Sequence, residues 1–115
     1  MDLQQAKDLV NQAMEAYKNN DFDLAIQLWS QLEKSTDEVK EIYAKAQYNL
    51  GVVFVSLKRY QEAEQAYKNV KREDSGEGYA KAQNNLGGLL KQQQRFEESE
   101  QAYKNVSRAD SVEQY

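Results

Sequence analysis

Lysine and asparagine recur together at one spacing in this chain of 115 residues. A lysine stands four residues before an asparagine in three places: Lys7–Asn11, Lys45–Asn49 and Lys81–Asn85. Residues four apart lie on the same face of a helix, so each pair would be displayed side by side. An asparagine amide can donate to and accept from a peptide backbone, and a lysine attracts carboxylates. The pairs therefore suit an extended acidic peptide or a free C-terminus; in the alternative interpretation, the lysines only keep helices soluble.

The side chains that most enzymes use are scarce. The chain has no His and no Cys, so it lacks the commonest general base and the thiolate metal ligand. No serine has a visible base partner, and paired carboxylates such as Glu97–Glu98 fit a solvated helix face better than a catalytic pair. We expect no enzymatic activity, no cofactor and no metal site.

Charge and hydropathy restrict the partners and the location. The net charge is −4, whereas non-specific binding to nucleic acid needs a basic face. The longest apolar run is Val52–Val55, far shorter than the roughly 20 residues that cross a bilayer. The N-terminus lacks the cationic start and long apolar stretch of a secretory signal. We therefore expect a protein or peptide partner, no nucleic acid, no membrane and a cytoplasmic location.

Two stretches of sequence return 36 residues later. YAKAQYNLG begins at Tyr43 and YAKAQNNLG at Tyr79, while EQAYKNV begins at Glu64 and again at Glu100. Apolar residues recur at helical spacing along both copies, and the chain has no Pro. A two-helix unit cannot bury its apolar stripes alone, but stacked units bury each other's. The sequence therefore predicts an all-α chain of stacked antiparallel helix pairs.

The predicted units cover residues 3–36, 39–74 and 77–110, and residues 111–115 would begin a further unit. A short polar turn divides the first pair at Asn19–Asp21. Longer polar loops are predicted to follow the three pairs, at Lys34–Glu38, Lys71–Gly78 and Ser107–Ser111. Thr36 or Asp37 could cap the helix after the first loop.

These units resemble the tetratricopeptide repeat. The family's pattern places Leu-Gly and an aromatic on the first helix, and an alanine with an aromatic four residues later on the second. The middle unit matches it most fully, with Leu50, Gly51, Phe54, Ala63 and Tyr67. The matches extend over almost the whole chain, although Gln47 and Gln83 stand where the family prefers Trp and no unit has the closing Pro.

The resemblance implies a right-handed α-solenoid whose first helices line a concave face that binds peptides. Small residues at Ala13, Gly51 and Gly87 would let paired helices approach closely. The Sel1-like repeat has units of similar length, but it has a glycine-rich turn between its two helices, and the turns here lack glycine. Short stretches at Asn84–Leu86 and Glu62–Glu64 also resemble kinesin light chain repeats.

Carboxylates are absent from the two best-matched first helices, between Ile42 and Arg59 and between Tyr79 and Arg95. We therefore predict a non-catalytic scaffold that binds a peptide segment, an acidic one being one option. The predicted peptide-binding residues are Lys7, Asn11, Lys45, Tyr48, Asn49, Val52, Lys81, Asn84 and Asn85. Tyr48, Val52 and Val55 would form an apolar pocket or pack against neighbouring helices.

Related modules clamp the C-terminal carboxylate of chaperones with five residues on successive helices. Asn49 and Lys81 match that pattern. Val10, Met14 and Asn85 stand where the clamp needs Lys, Asn and Arg. We therefore predict that this chain does not use that clamp.

The last unit suggests an alternative function. Tyr115 continues the spacing of Tyr43 and Tyr79 and falls where a fourth unit would begin. Terminal repeats need a polar outer face, because their last apolar stripe otherwise meets water. Because no polar cap follows Val106 in the sequence, the alternative is a self-assembly element or a fragment of a longer array, whose main partner is another copy of itself. The predicted contact residues are Leu89, Phe96 and Tyr103.

Overall fold

Six α-helices make up the part of the chain that the computed structural model describes, residues 1–110. They are α1 (Leu3–Lys18), α2 (Phe22–Trp29), α3 (Asp37–Ser56), α4 (Tyr60–Asn69), α5 (Gly76–Gln92) and α6 (Phe96–Asp110). Consecutive helices pair as α1–α2, α3–α4 and α5–α6, and the first helix of each later pair packs against the pair before it. The predicted all-α stack of helix pairs is confirmed. The predicted start of a further unit at 111–115 lies outside the described residues.

All three predicted loops were drawn too long, and helix α3 already begins at Asp37, inside the predicted loop Lys34–Glu38. Helix α5 begins at Gly76, inside the predicted loop Lys71–Gly78, because the Ser75 hydroxyl accepts a hydrogen bond from the Gly78 amide at 3.0 Å and caps the helix. Helix α6 continues through Asp110, across most of the predicted loop Ser107–Ser111. No Gly or Pro follows Phe96 to end the helix there.

The turn inside each pair has the same backbone geometry. Asn20, Lys58 and Gln94 adopt left-handed conformations, with φ of 62°, 60° and 64°. After Lys58, the Arg59 amide donates to the Phe54 carbonyl at 2.7 Å, and the other two turns repeat this bond. This is the Schellman arrangement, which satisfies the last carbonyls of a helix. It tightly reverses the chain in each unit without glycine.

Small residues hold the paired helices together. Ala13 and Ala25 are fully buried between α1 and α2. A Cβ built on Gly51 of α3 would meet the ring of Tyr67 of α4, with Cδ1 at 2.6 Å. Gly87 of α5 has the same relation to a tyrosine of α6. The predicted role of these residues as sites of close approach is confirmed.

Gln47 and Gln83 are buried, although the related family prefers Trp in their places. The Asn69 amide donates to the Gln47 carbonyl oxygen at 2.9 Å, and Asn105 donates to Gln83 at 3.0 Å. Each glutamine therefore joins the two helices of its unit by a hydrogen bond, as a buried amide requires.

Polar side chains also join successive units. Arg95, which precedes α6, donates from Nη1 and Nη2 to the Glu64 carboxylate of α4 at 2.6 and 3.2 Å. Lys34, in the connection between the first two units, pairs with buried Asp74 in the connection between the last two. The first contact joins the second unit to the third, and the second joins the two connections between units.

Candidate functional site

The seam between α3 and α5 carries most of the predicted peptide-binding residues. One depression of about 230 Å³ lies where α3 faces the start of α5. Its lining comprises Lys45, Tyr48, Asn49, Ser75, Glu77, Gly78 and Lys81. Four of the predicted peptide-binding residues, Lys45, Tyr48, Asn49 and Lys81, therefore meet in one place. Ser75, Glu77 and Gly78 were not predicted, because the start of α5 was expected to be part of a loop.

A second depression continues along the same seam towards the end of α5. It is lined by Val52, Val55, Ser56, Tyr67, Asn84, Asn85, Gly88, Leu89, Gln92 and Tyr103. The predicted residues Val52, Asn84 and Asn85 lie here. We call the two depressions together the α3–α5 groove. It combines a charged half around Lys45 and Lys81 with a half that has apolar side chains from both helices.

The lysines of the groove are not free cations. Lys45 lies 3.9 Å from Glu41, and Lys81 lies 3.1 Å from Glu77, each one helical turn earlier. The acid-free stretch predicted from the sequence begins just after Glu41, so it overlooked this partner. All four side chains are exposed to solvent, and such pairs contribute little to stability. An incoming carboxylate can therefore replace either partner at low cost.

Asn85 belongs to the contact between units as much as to the groove. Its amide nitrogen donates to the hydroxyl of Tyr48 at 3.2 Å and to that of Tyr67 at 3.4 Å. The two tyrosine rings lie 6.1 Å apart. Burial raises the pKa of the Tyr67 hydroxyl. Within residues 1–110, no hydrogen bond engages the Asn85 carbonyl oxygen or the Asn49 side-chain amide, so both can bond to a ligand.

Tyr48 and Val55 each have a packing role and a groove role. Both contact the core cluster around Tyr67 and Leu86 as partly buried side chains, and both line the groove. For these two residues, both alternatives left open by the sequence are true, because each packs against neighbouring helices and each lines the groove.

Lys7 and Asn11 lie apart from the α3–α5 groove. Both are exposed on α1, and neither lines its two depressions. The predicted row of three Lys–Asn pairs is therefore divided, with two pairs in the groove and one on the first unit.

The predicted self-association residues do not share one environment. Phe96 and Tyr103 are 61% and 40% exposed at the end of the third unit. Leu89 is buried and belongs to the core cluster that includes Phe54 and Ala66. The prediction that Leu89 lies on the exposed end is wrong, because this face of α5 points back towards the second unit.

Comparison with known families agrees with the geometry of stacked helix pairs. Residues 10–78 match one tetratricopeptide repeat family, and residues 80–108 match another. The chain belongs to the tetratricopeptide repeat family. The resemblance predicted from Leu50, Gly51 and Phe54 is confirmed, and the stack is a solenoid of the tetratricopeptide repeat type. Such repeats generally mediate protein–protein interaction. No curated protein and no solved structure matches the chain.

Residues 1–110 contain neither a membrane-spanning helix nor a metal-binding cluster. No helix in this range is long and apolar enough to cross a membrane. The same residues contain no cluster of three or more acidic side chains placed to hold a metal ion.

Proposed function

We propose that this tetratricopeptide repeat protein is a non-catalytic scaffold that binds an extended peptide segment in the α3–α5 groove. Lys45 and Lys81 would receive an acidic group of the peptide, and the Asn49 amide would bond to its backbone. The observation that carries the proposal is the convergence of Lys45, Asn49 and Lys81 in one depression.

The rest of the groove fits the same ligand. Beyond the charged half, Val52, Val55 and Gly88 line a depression that can take an apolar side chain. An extended peptide spans about 3.3 Å per residue, so a few residues can contact both halves. Backbone bonding to an amide provides affinity with little dependence on sequence, and the lysines provide a preference for acidic residues.

A peptide-display selection on the full chain tests the proposal. Peptides selected on the wild type are titrated against Lys45→Glu/Lys81→Glu and against Lys18→Glu/Lys71→Glu, which changes the net charge equally at exposed lysines outside the groove. We expect at least about tenfold weaker binding for the first variant, little change for the second, and loss of affinity at high salt. Asn49→Ala should weaken binding by about 1 kcal/mol.

Two results would contradict the proposal. Equal binding by the two double variants would place the ligand outside the groove. If the selected peptides lack acidic residues and bind equally well at low and high salt, the lysines have no role in binding. Only the half of the groove that has apolar side chains would then remain as the binding surface. Circular dichroism of each variant shows whether it is folded.

A further inference from the structure

The outer end of the third unit repeats the surface with which the second unit receives the third. In the second unit, the Glu64 carboxylate accepts hydrogen bonds from Nη1 and Nη2 of Arg95. Tyr67 is only 2% exposed beneath α5. The residues 36 positions later are Glu100 and Tyr103. The Glu100 side chain is 69% exposed, and its one ion pair among the described residues is with Lys104, at 3.4 Å. Among residues 1–110, no arginine and no further helix cover the receiving surface of the third unit as they do in the second.

This surface is called the end face here. It is a depression lined by Lys91, Phe96, Ser99, Glu100, Tyr103 and Lys104. Phe96 and Tyr103 are among the large apolar side chains that are exposed in residues 1–110. Lys91 is exposed and has no ion pair within this part of the chain. The end face thus combines two exposed aromatic rings with the cation Lys91 and with the exposed Lys104–Glu100 ion pair, in which Glu100 can exchange its partner at low cost.

The first unit of another copy cannot cover the end face in the way that units stack inside the chain. Ala82, Leu86 and Leu89 of α5 are buried against the second unit. The equivalent positions on α1, in the register set by Lys7 and Lys81, are the exposed residues Asp8, Gln12 and Glu15. Head-to-tail stacking would bury these polar groups against apolar surface without partners, which is costly.

Charge opposes the same arrangement. Arg59 and Arg95 each stand ten residues after the asparagine of their first helix, but in the first unit that position is Asp21. A head-to-tail contact would place Asp21 of one copy next to Glu100 of the next, where the internal contact has an arginine. Like charges at such a position disfavour the complex.

A two-fold axis relates the same surface on both copies, so a self-complementary patch can close on itself. The end face meets this condition, because it presents the cation Lys91 and the anion Glu100 beside the two rings. We infer that two copies of this protein associate end face to end face, with Phe96 and Tyr103 at the centre. Lys91 of each copy pairs with Glu100 of the second copy. The inference goes beyond the peptide groove, with which the end face shares Tyr103 but none of Lys91, Phe96 and Glu100.

Sedimentation of the full chain over about 1 µM to about 1 mM, a range that covers weak association, provides the first test. We expect a monomer of 13.3 kDa that converts to a dimer and to nothing larger. Phe96→Ser should raise the dimer Kd by at least about tenfold, because exposed aromatic anchors dominate interfaces. Leu24→Ser is the matched control, since Leu24 is 41% exposed on α2, and its Kd should equal that of the wild type.

Charge reversal tests the two-fold geometry itself. Lys91→Glu alone and Glu100→Lys alone each place like charges across the axis, so each variant should remain monomeric at concentrations where the wild type dimerises. An equimolar mixture restores opposite charges at both contacts and should form a heterodimer. The double variant Lys91→Glu/Glu100→Lys should dimerise by itself for the same reason.

Several outcomes would overturn the inference. These are a wild type that stays monomeric over the whole range, species that grow beyond a dimer, a Leu24→Ser defect as large as that of Phe96→Ser, and a mixture that does not associate. Peptide binding is measured on each variant in parallel. Unchanged peptide affinity in the monomeric variants separates the end face from the groove.

Discussion

A glycine beneath a tyrosine ring sets the spacing of the helices in the second and third units. Gly51 lies under Tyr67, and Gly87 lies under Tyr103. The two rings differ in their freedom to move, because Tyr67 is buried beneath α5 whereas Tyr103 lies on the exposed end face. The same pair of residue types therefore meets different constraints in the two units.

Alanine substitutions of the glycines should reveal that difference. Gly51→Ala should cost about 2 kcal/mol of unfolding free energy, because the added methyl overlaps a buried ring that cannot retreat. Gly87→Ala should cost less, since Tyr103 can rotate into solvent. Gly88→Ala is the control: its Cβ would meet nothing closer than the Tyr103 hydroxyl at 3.7 Å, so helix propensity should stabilise it by about 0.5–1 kcal/mol. Urea unfolding measures all three, and equal losses at 51 and 88 would contradict the close contact.

Residue types revealed part of the groove but not its internal bonding. Lys45, Asn49 and Lys81 could be placed on one surface, because helical spacing and the 36-residue repeat fix their relative positions. The hydrogen bonds of Asn85 to two tyrosines, at positions 48 and 67, could not be predicted. They depend on how far one unit is rotated on the next, which a repeat in the sequence does not specify.

At the scale of the elements, the residues in the turns do not all suit the backbone conformation that they adopt. A left-handed residue closes α1, α3 and α5, and glycine is the residue that adopts this conformation at least cost. The chain has asparagine, lysine and glutamine there instead. Asparagine tolerates the left-handed region well, but lysine and glutamine do not. The second and third turns therefore contain a local strain that the first turn lacks.

Replacing Lys58 by glycine should release that strain. We expect Lys58→Gly to raise the unfolding free energy by about 0.5–1 kcal/mol, because its φ of 60° no longer crowds a side chain. Asn20→Gly at the equivalent turn should give a smaller gain or none, since asparagine already fits. Thermal and urea unfolding of the two variants provide the comparison. A loss of stability at Lys58 equal to that at Asn20 would show that the side chain, not the backbone, matters there.

The ends of the helices were harder to predict from the sequence than the turn inside a helix pair. The turn at Asn19–Asp21 was located correctly, because the apolar stripe of the first helix stops there. The start of α5 was missed, because Gly76 and Gly78 suggest a loop when the capping bond to Ser75 is not known. The extent of α6 was missed because a polar stretch was expected to repeat the preceding loop, whereas nothing in its sequence breaks a helix.

At the scale of the whole molecule, polar contacts as well as apolar packing join the units of the stack. Arg95 binds Glu64 of the preceding unit and Glu98 of α6, which lowers the pKa of both carboxyl groups. Lys34 and Asp74 join the two connections on another side of the stack. The order of the units was predictable from the repeat, but the Glu64–Arg95 and Lys34–Asp74 contacts were not, because their partners lie 31 or more residues apart in sequence.

The contribution of the Glu64–Arg95 contact should depend on pH in a defined direction. The Glu64 side chain is only 16% exposed, and hydrogen bonds from Arg95 hold its carboxyl pKa below the ordinary value. The stabilisation is therefore complete above the ordinary carboxyl pKa of about 4.3 and is lost as the pH falls through the lowered native value. Glu64→Gln should reduce the unfolding free energy by about 1–2 kcal/mol at pH 7 and by much less near pH 3. Glu100→Gln occupies the same repeat position without an arginine, so it should cost nearly nothing at low protein concentration, where the end face is free. Urea titrations of both variants at the two pH values test this, and equal losses at positions 64 and 100 would show that the arginine does not join the units.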